Sequence, residues 1–172
     1  MEQEKAITLP RVIFQEKVIV WSLAVLVPLF FSGPQLLTGS FINALLIYTA
    51  MRLPVKQWIP VIILPSVAAF AHGVIFGPLS WFLFYFLPFI WLGNYLFVFI
   101  FNKVNRSQYV KLVISAAVKV ALLFAAAYIY FIFGVVPALF LTAMGVVQLI
   151  TALAGGAAII LFFSARKDGR TS

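Results

Sequence analysis

Six apolar stretches, at residues 14 to 31, 36 to 51, 57 to 72, 80 to 101, 108 to 133 and 136 to 164, take up most of this 172-residue chain, and no acidic residue lies deep in any of them. A helix crosses a bilayer with about 20 apolar residues, so five or six crossings are the most that this length allows. The expected fold is all-α: a polytopic integral membrane protein, one domain over residues 1 to 172, folded as a six-transmembrane-helix bundle. The second and third stretches are short, roughly 24 Å at 1.5 Å per residue, and span only if the protein is thin there or if flanking backbone dips into the membrane. Pro28, Pro60, Pro65 and Pro88 lie inside the stretches, where each removes a helix hydrogen bond and predicts a kink. Composition agrees: 65% of residues are hydrophobic and 9% charged, against roughly 45–50% and 25% in soluble domains. A water-soluble enzyme is excluded.

The placement of charge is an independent test, because lysine and arginine collect in cytoplasmic loops. Lys5, Arg11 and Lys17 precede the first stretch, and Arg52 and Lys56 join the second to the third. Lys103, Arg106 and Lys111 join the fourth to the fifth, and Arg166, Lys167 and Arg170 follow the sixth. The connections SGPQ, GVIFGP and FGVVP carry no charge. Six crossings with both termini in the cytoplasm explain eleven of the twelve basic residues. The net charge of +8 is thereby assigned to insertion and anionic lipid rather than to nucleic acid. The N-terminus, MEQEKAITLPRVIFQEK, mixes charge signs and lacks the pattern of a removable signal peptide. A multi-pass plasma-membrane location is expected.

Much chemistry is ruled out in turn. Glu2, Glu4, Glu16 and Asp168 are the only acidic residues and sit at or near cytoplasmic ends, so a carboxylate relay within the membrane is unavailable. Paired-carboxylate hydrolysis fails for the same reason, as does a metal site built from His with Asp or Glu. Cysteine is absent, which removes disulfides, thiolate nucleophiles and cysteine-ligated clusters. No Walker-type phosphate loop occurs. The expectation is a protein that is not an enzyme, with no catalytic residue, no metal and no cofactor; if it transports, its energy comes from elsewhere.

One cation stays unexplained. Lys119, in SAAVKVALLFAAAYIY, lies about ten residues into the fifth stretch, roughly 15 Å deep. A lysine there costs about 2.5–3.5 kcal/mol on insertion scales. Ser115, Ala116 and Ala126 share its helix face, so it points into the bundle, where small residues pack. Depth arithmetic puts Asn43, Asn94 and Gln148 at the same level. Two stretches also echo one another: QLLT at 35 to 38, before GSFINALL, and QLIT at 148 to 151, before ALAGGAAI. They carry polar stripes of Gln35, Gly39 and Asn43 on one side and Gln148, Thr151, Ala152 and Gly155 on the other, with Thr38 in the first echo.

Two roles are open to this layer. Its amides and lysine can act as glue between helices, at about 0.6 kcal/mol per contact. Alternatively they form the floor of a cavity open to the outside that holds a small molecule. With no intramembrane carboxylate, Lys119 must be neutral or take its counter-charge from something bound, and a ligand carboxylate or phosphate would supply it. The candidate binding residues are Lys119, Asn94, Asn43, Gln148, Gln35, Thr38, Thr151 and His72. His72, in AAFAHGVIFGP, also reads as an interfacial histidine, and Gly73, Gly77 and Pro78 make the loop after it a candidate lid. The nineteen Phe and four Trp first read as lipid contacts and interfacial belts, with Trp58 at a cytoplasmic and Trp81 at an outer boundary. Some of WFLFYFLPFIWLGNYLF can instead line a pocket.

The succession QLLTGSFINALL, LPSVAAFAHGVIFGPLSW, LPFIWLGNYLFVF, Lys119 and QLITALAGG, over residues about 18 to 165, resembles the substrate-binding S components of energy-coupling-factor (ECF) transporters. The resemblance implies a six-helix bundle with cytoplasmic termini and a pocket near the outer side for a vitamin or small metabolite. It also implies association with a membrane coupling subunit and two ATPases. Asn43, Asn94, Lys119 and Gln148 fall where the family carries polar residues, which implies a pocket or core-network role. The chain departs from the family on its first helix: VIVWSLAVLVPLFF offers only Ser22 and Ala24 as small residues, where the family often spaces alanines four apart for docking. That spacing occurs instead at Ala117, Ala121 and Ala125, where it commonly packs helices within one bundle. A non-transport scaffold resembling the MreD-type component of cell-shape machinery is the alternative, since its amide layer needs no ligand. An enzyme acting on lipid-linked substrates is third, with no acid, base or metal set to support it.

Overall fold

The protein is described by a computed structural model over residues 2–31, 35–76 and 81–168, with side chains for 15–31, 35–73 and 81–166. Helices α1 (Glu2–Phe30), α2 (Gln35–Arg52), α3 (Trp58–Phe76), α4 (Trp81–Lys103), α5 (Gln108–Ile132), α6 (Leu139–Met144) and α7 (Val146–Asp168) follow in order, with a 3-10 turn at Val55–Gln57 before α3. No strand occurs among the described residues. Val55–Gly73, Trp81–Lys103, Gln108–Ile132 and Leu139–Arg166 are each long and apolar enough to cross a membrane. Large apolar side chains such as Phe84, Val113, Ile129, Phe131 and Phe162 are exposed around the bundle. Lipid suits such a surface and water does not. This is a membrane protein.

Glycines set two of the helix boundaries. Gly134 ends α5 with a φ of 68°, a conformation that costs a Cβ-free residue nothing. Its N–H donates to Phe131 O at 3.0 Å, and the Val135 N–H donates to Tyr130 O at 2.9 Å, the two bonds of a Schellman cap. The sixth apolar stretch, expected as one helix from residue 136, is two. Gly145 breaks it with φ −98° and ψ −104°, where a Cβ would lie 2.6 Å from Leu141 O and 2.9 Å from Phe124 Cδ2. The first helix begins at Glu2 rather than at residue 14. Pro65 and Pro88 do lie inside helices. Pro60, expected to kink its helix, falls in the first turn of α3, where an N–H has no helical partner to lose.

The helices pair chiefly as α2 with α7, α4 with α5 and α1 with α3, while α3 and α5 join these pairs to one another. Two apolar cores result. One gathers Val20, Leu46, Trp58, Phe97, Leu112 and Ile160 toward the end that bears Arg52 and Arg166. The other gathers Phe86, Leu123, Phe140 and Met144 toward the opposite end. Asn43, Asn94, Lys119 and Thr151 are buried at the level between them.

Two assignments made from the sequence change here. Trp58 is only 2% exposed and donates its indole N–H to Leu53 O at 3.0 Å, so it pegs the α2–α3 corner from inside instead of joining an interfacial belt. Trp81 is exposed, as expected. Ala117, Ala121 and Ala125 face outward, because the buried stripe of α5 runs through Leu112, Ser115, Ala116, Lys119, Leu123, Ala126 and Ala127.

Candidate ligand-binding site

The echoing helices α2 and α7 face one another along the two stripes. Gly155 makes this possible: a Cβ there would overlap the Ser40 carbonyl and come within 2.8 Å of Ala44 N. Small residues let the two backbones approach as they do in membrane helix dimers. The close seam brings Asn43 of α2 to Thr151 of α7, with Asn43 Nδ2 donating to Thr151 Oγ1 at 3.2 Å and to Gly39 O at 2.9 Å. Thr151 passes its own proton to Gln148 O at 3.1 Å. With both Nδ2 bonds made, the Asn43 carbonyl is turned toward α5.

Lys119 fills that position. Its ammonium donates to Asn43 Oδ1 at 2.7 Å and lies 5.1 Å from the centre of the Phe97 ring of α4, a cation–π separation. Gly93 faces the lysine stem, and a Cβ there would sit at an ordinary contact distance of 3.5 Å from Lys119 Cγ. The side chain is 3% exposed and Asn43 is its one hydrogen-bond partner among the described residues. An ammonium has three donors, so two N–H groups remain. Glu16, the one acidic side chain described, is paired with Arg52 at the basic end of the bundle. Nothing acidic neutralises Lys119 from within these residues.

A cavity of about 410 Å³ lies between Lys119 and the charge-poor end of the bundle. Lys119, Asn43 and Asn94 form its floor, Gln35, Thr38 and Gln148 its α2–α7 wall, and His72 its α3 wall. Apolar lining comes from Ile42, Leu83, Ile90 and Phe140. Seven of the eight residues named from the sequence therefore meet in one cavity. Thr151 lies behind the floor and acts on it by holding Asn43. The proposed lid is covered only at Gly73, which lines the cavity; Gly77 and Pro78 lie outside the described residues.

The rim is tied in place. Thr38 donates to Phe31 O at 2.6 Å, linking α2 to the end of α1, and Gln35 Nε2 donates to Ala143 O of α6 at 3.4 Å. His72 Nδ1 lies 2.7 Å from Leu29 O; a carbonyl only accepts, so this nitrogen carries the proton. Asn94 Nδ2 donates to Ile62 O at 3.1 Å. A polar pair not named from the sequence joins them: Trp91 Nε1 donates to Ser66 Oγ at 2.8 Å, and Ser66 donates to Ile63 O at 2.9 Å. Ser66 follows Pro65 in the middle of an apolar run, which was its available signal. Helix α6, which closes one side through Leu139, Phe140, Ala143 and Met144, carried no such signal.

Comparison with family models, with curated proteins and with solved structures finds no match for this chain.

Proposed function

We propose that this protein is the membrane-embedded capture subunit of an uptake system, of the S-component type, taking a small anionic metabolite or vitamin from outside the cell. The observation that carries the reading is the buried Lys119 amino group, without an acidic companion among the described residues, at the floor of a cavity of about 410 Å³. Ligand pockets run from roughly 300 to 1,000 Å³ and pair apolar walls with a few convergent polar groups, as here. A bound carboxylate or phosphate supplies the charge that the bundle lacks, and charge-assisted hydrogen bonds are about twice as strong as neutral ones.

In this reading the chain crosses the plasma membrane six times, α1 and α2 joining the four more apolar spans against which they pack. Lys56, Arg106 and Arg166 put the basic end and both termini in the cytoplasm, so the cavity mouth faces outward. The binding residues are Lys119, Asn94, Asn43, Gln148, Gln35, Thr38 and His72, with Thr151 as support. The protein itself does no chemistry. A coupling subunit and two ATPases energise release inward, and the exposed alanines of α5 are a surface on which such a subunit can pack.

A second reading, an MreD-like scaffold that does not transport, is favoured by the Lys119–Asn43–Thr151 chain of hydrogen bonds, which joins three helices without a ligand. Native mass spectrometry of the protein purified in mild detergent separates the two. A small anion retained by the wild type and absent from Lys119→Met supports capture; a wild type that carries none, with folding unchanged by Lys119→Met, supports the scaffold.

A further inference from the structure

A second cavity, of about 560 Å³, lies at the opposite end of the bundle, lined by Glu16, Met51, Arg52, Gln108, Phe163, Ser164 and Arg166. Four helices contribute to it: α1 through Glu16, α2 through Met51 and Arg52, α5 through Gln108, and α7 through Phe163, Ser164 and Arg166. Its charged lining holds two guanidinium groups and one carboxylate, a net of one positive charge. Arg52 donates to Glu16 Oε1 at 2.9 Å. That bond occupies one edge of the Arg52 fork, and the Tyr48 hydroxyl also lies within its reach, so part of its planar set of five donors remains for an anion. Arg166 is exposed and has no acidic partner among the described residues. Met51 and Phe163 add an apolar side to the same cavity, and Phe163 is braced by the Tyr48 ring at 5.8 Å.

We propose that this cavity is a seat for a phosphodiester anion, the headgroup of an anionic phospholipid of the inner leaflet. The charge match is specific: a phosphodiester carries a single negative charge, which the net charge of the lining neutralises. Arginine suits phosphate oxygens because its planar donors reach two of them at once. The apolar side accepts the glycerol and upper acyl carbons, which a soluble phosphate does not have. Basic pockets between membrane helices at the cytoplasmic face take anionic headgroups on the same grounds. The Glu16 carboxylate also faces the cavity and repels an anion, so the phosphate sits toward Arg166 and the outer edge of Arg52.

The test is titration of the detergent-purified protein with phosphatidylglycerol, phosphatidylcholine and glycerophosphoglycerol, read by native mass spectrometry and by thermal shift. One saturable phosphatidylglycerol, bound in preference to phosphatidylcholine, is expected. Each arginine contributes about fivefold in affinity at a membrane surface, so Arg166→Gln weakens binding about fivefold. Arg106→Gln, which removes an exposed cation at the same end but outside the cavity, leaves it unchanged. Retention by lipid alone assigns the site to the leaflet, and equal binding of glycerophosphoglycerol assigns the same phosphodiester seat to a solute. Equal losses in Arg166→Gln and Arg106→Gln, or equal binding of the two lipids, overturn the proposal, because general surface charge then accounts for the attraction.

Discussion

Gly155 of α7 lies so close to the Ser40 carbonyl of α2 that any Cβ at residue 155 would overlap it. The contact is between backbones, so no rotamer change relieves it. Helix propensity and packing therefore make opposite forecasts for one substitution. Alanine is about 1 kcal/mol better than glycine inside a helix, whereas overpacking costs about 1–3 kcal/mol. Gly155→Ala is expected to lower the thermal midpoint in detergent. Gly93→Ala, whose Cβ meets Lys119 Cγ at 3.5 Å and Leu123 Cγ at 3.6 Å, is expected to hold or raise it. A stabilised Gly155→Ala would mean that the α2–α7 seam is looser than described.

Lys119→Met keeps an apolar stem of similar length and removes the donor to Asn43. Hydrogen bonds between membrane helices average about 0.6 kcal/mol, so stability should change by about 1 kcal/mol or less. Removing one member of a buried, hydrogen-bonded charge pair costs about 2–5 kcal/mol in binding, so ligand retention should fall by roughly 30-fold or more. Stability by thermal scan and retention by mass spectrometry measure the two effects separately. Equal retention by variant and wild type would remove Lys119 from ligand recognition.

Thr151→Val conserves volume and removes the acceptor for Asn43 Nδ2. The Asn43 amide then keeps only Gly39 O as partner and is freer to turn. Ligand affinity is expected to drop by about threefold to twentyfold, from the 0.6 to 1.7 kcal/mol measured for such bonds, although Thr151 does not line the cavity. Affinity equal to wild type would show that the Asn43 carbonyl is held without it.

Absence of cysteine makes orientation directly measurable. Arg106→Cys, in the α4–α5 connection, is expected to react with a membrane-impermeant maleimide only after the inner face is opened. Phe133→Cys, at the exposed end of α5, is expected to react in intact cells. The reverse pattern would invert the bundle and place the cavity mouth toward the cytoplasm.

Trp58→Phe leaves the ring volume nearly filled and deletes the bond to Leu53 O. A buried carbonyl left unpaired costs about 1–3 kcal/mol. An interfacial tryptophan would cost far less, so denaturant or thermal titration separates the buried peg from the belt residue.

Local features were legible because their causes are local. The α5 boundary at Gly134 follows from a glycine among apolar residues, and the burial of Ser115, Ala116 and Ala126 beside Lys119 follows from helical periodicity. Trp58 was misread because a tryptophan beside a basic loop resembles an interfacial anchor until the corner formed by Leu53 and Pro54 turns it inward. The spacing of Ala117, Ala121 and Ala125 marks one helix face and is silent on what that face meets; in the fold it is exposed. The break at Gly145 escaped because the apolar stretch continues through it; the conflict with Leu141 O arises from the bend itself, and the one with Phe124 exists only once α5 is packed against it.

Hydropathy and helical period belong to single segments, so the chain alone determined an all-helical membrane protein and the burial of its polar residues Asn43, Asn94 and Lys119. Partner choice belongs to pairs of faces far apart in sequence. Lys119 meets Asn43 across 76 residues and Asn43 meets Thr151 across 108. Only the packing of α2 on α7, permitted at Gly155 by the missing side chain, decided that these groups touch and that a cavity stands above them.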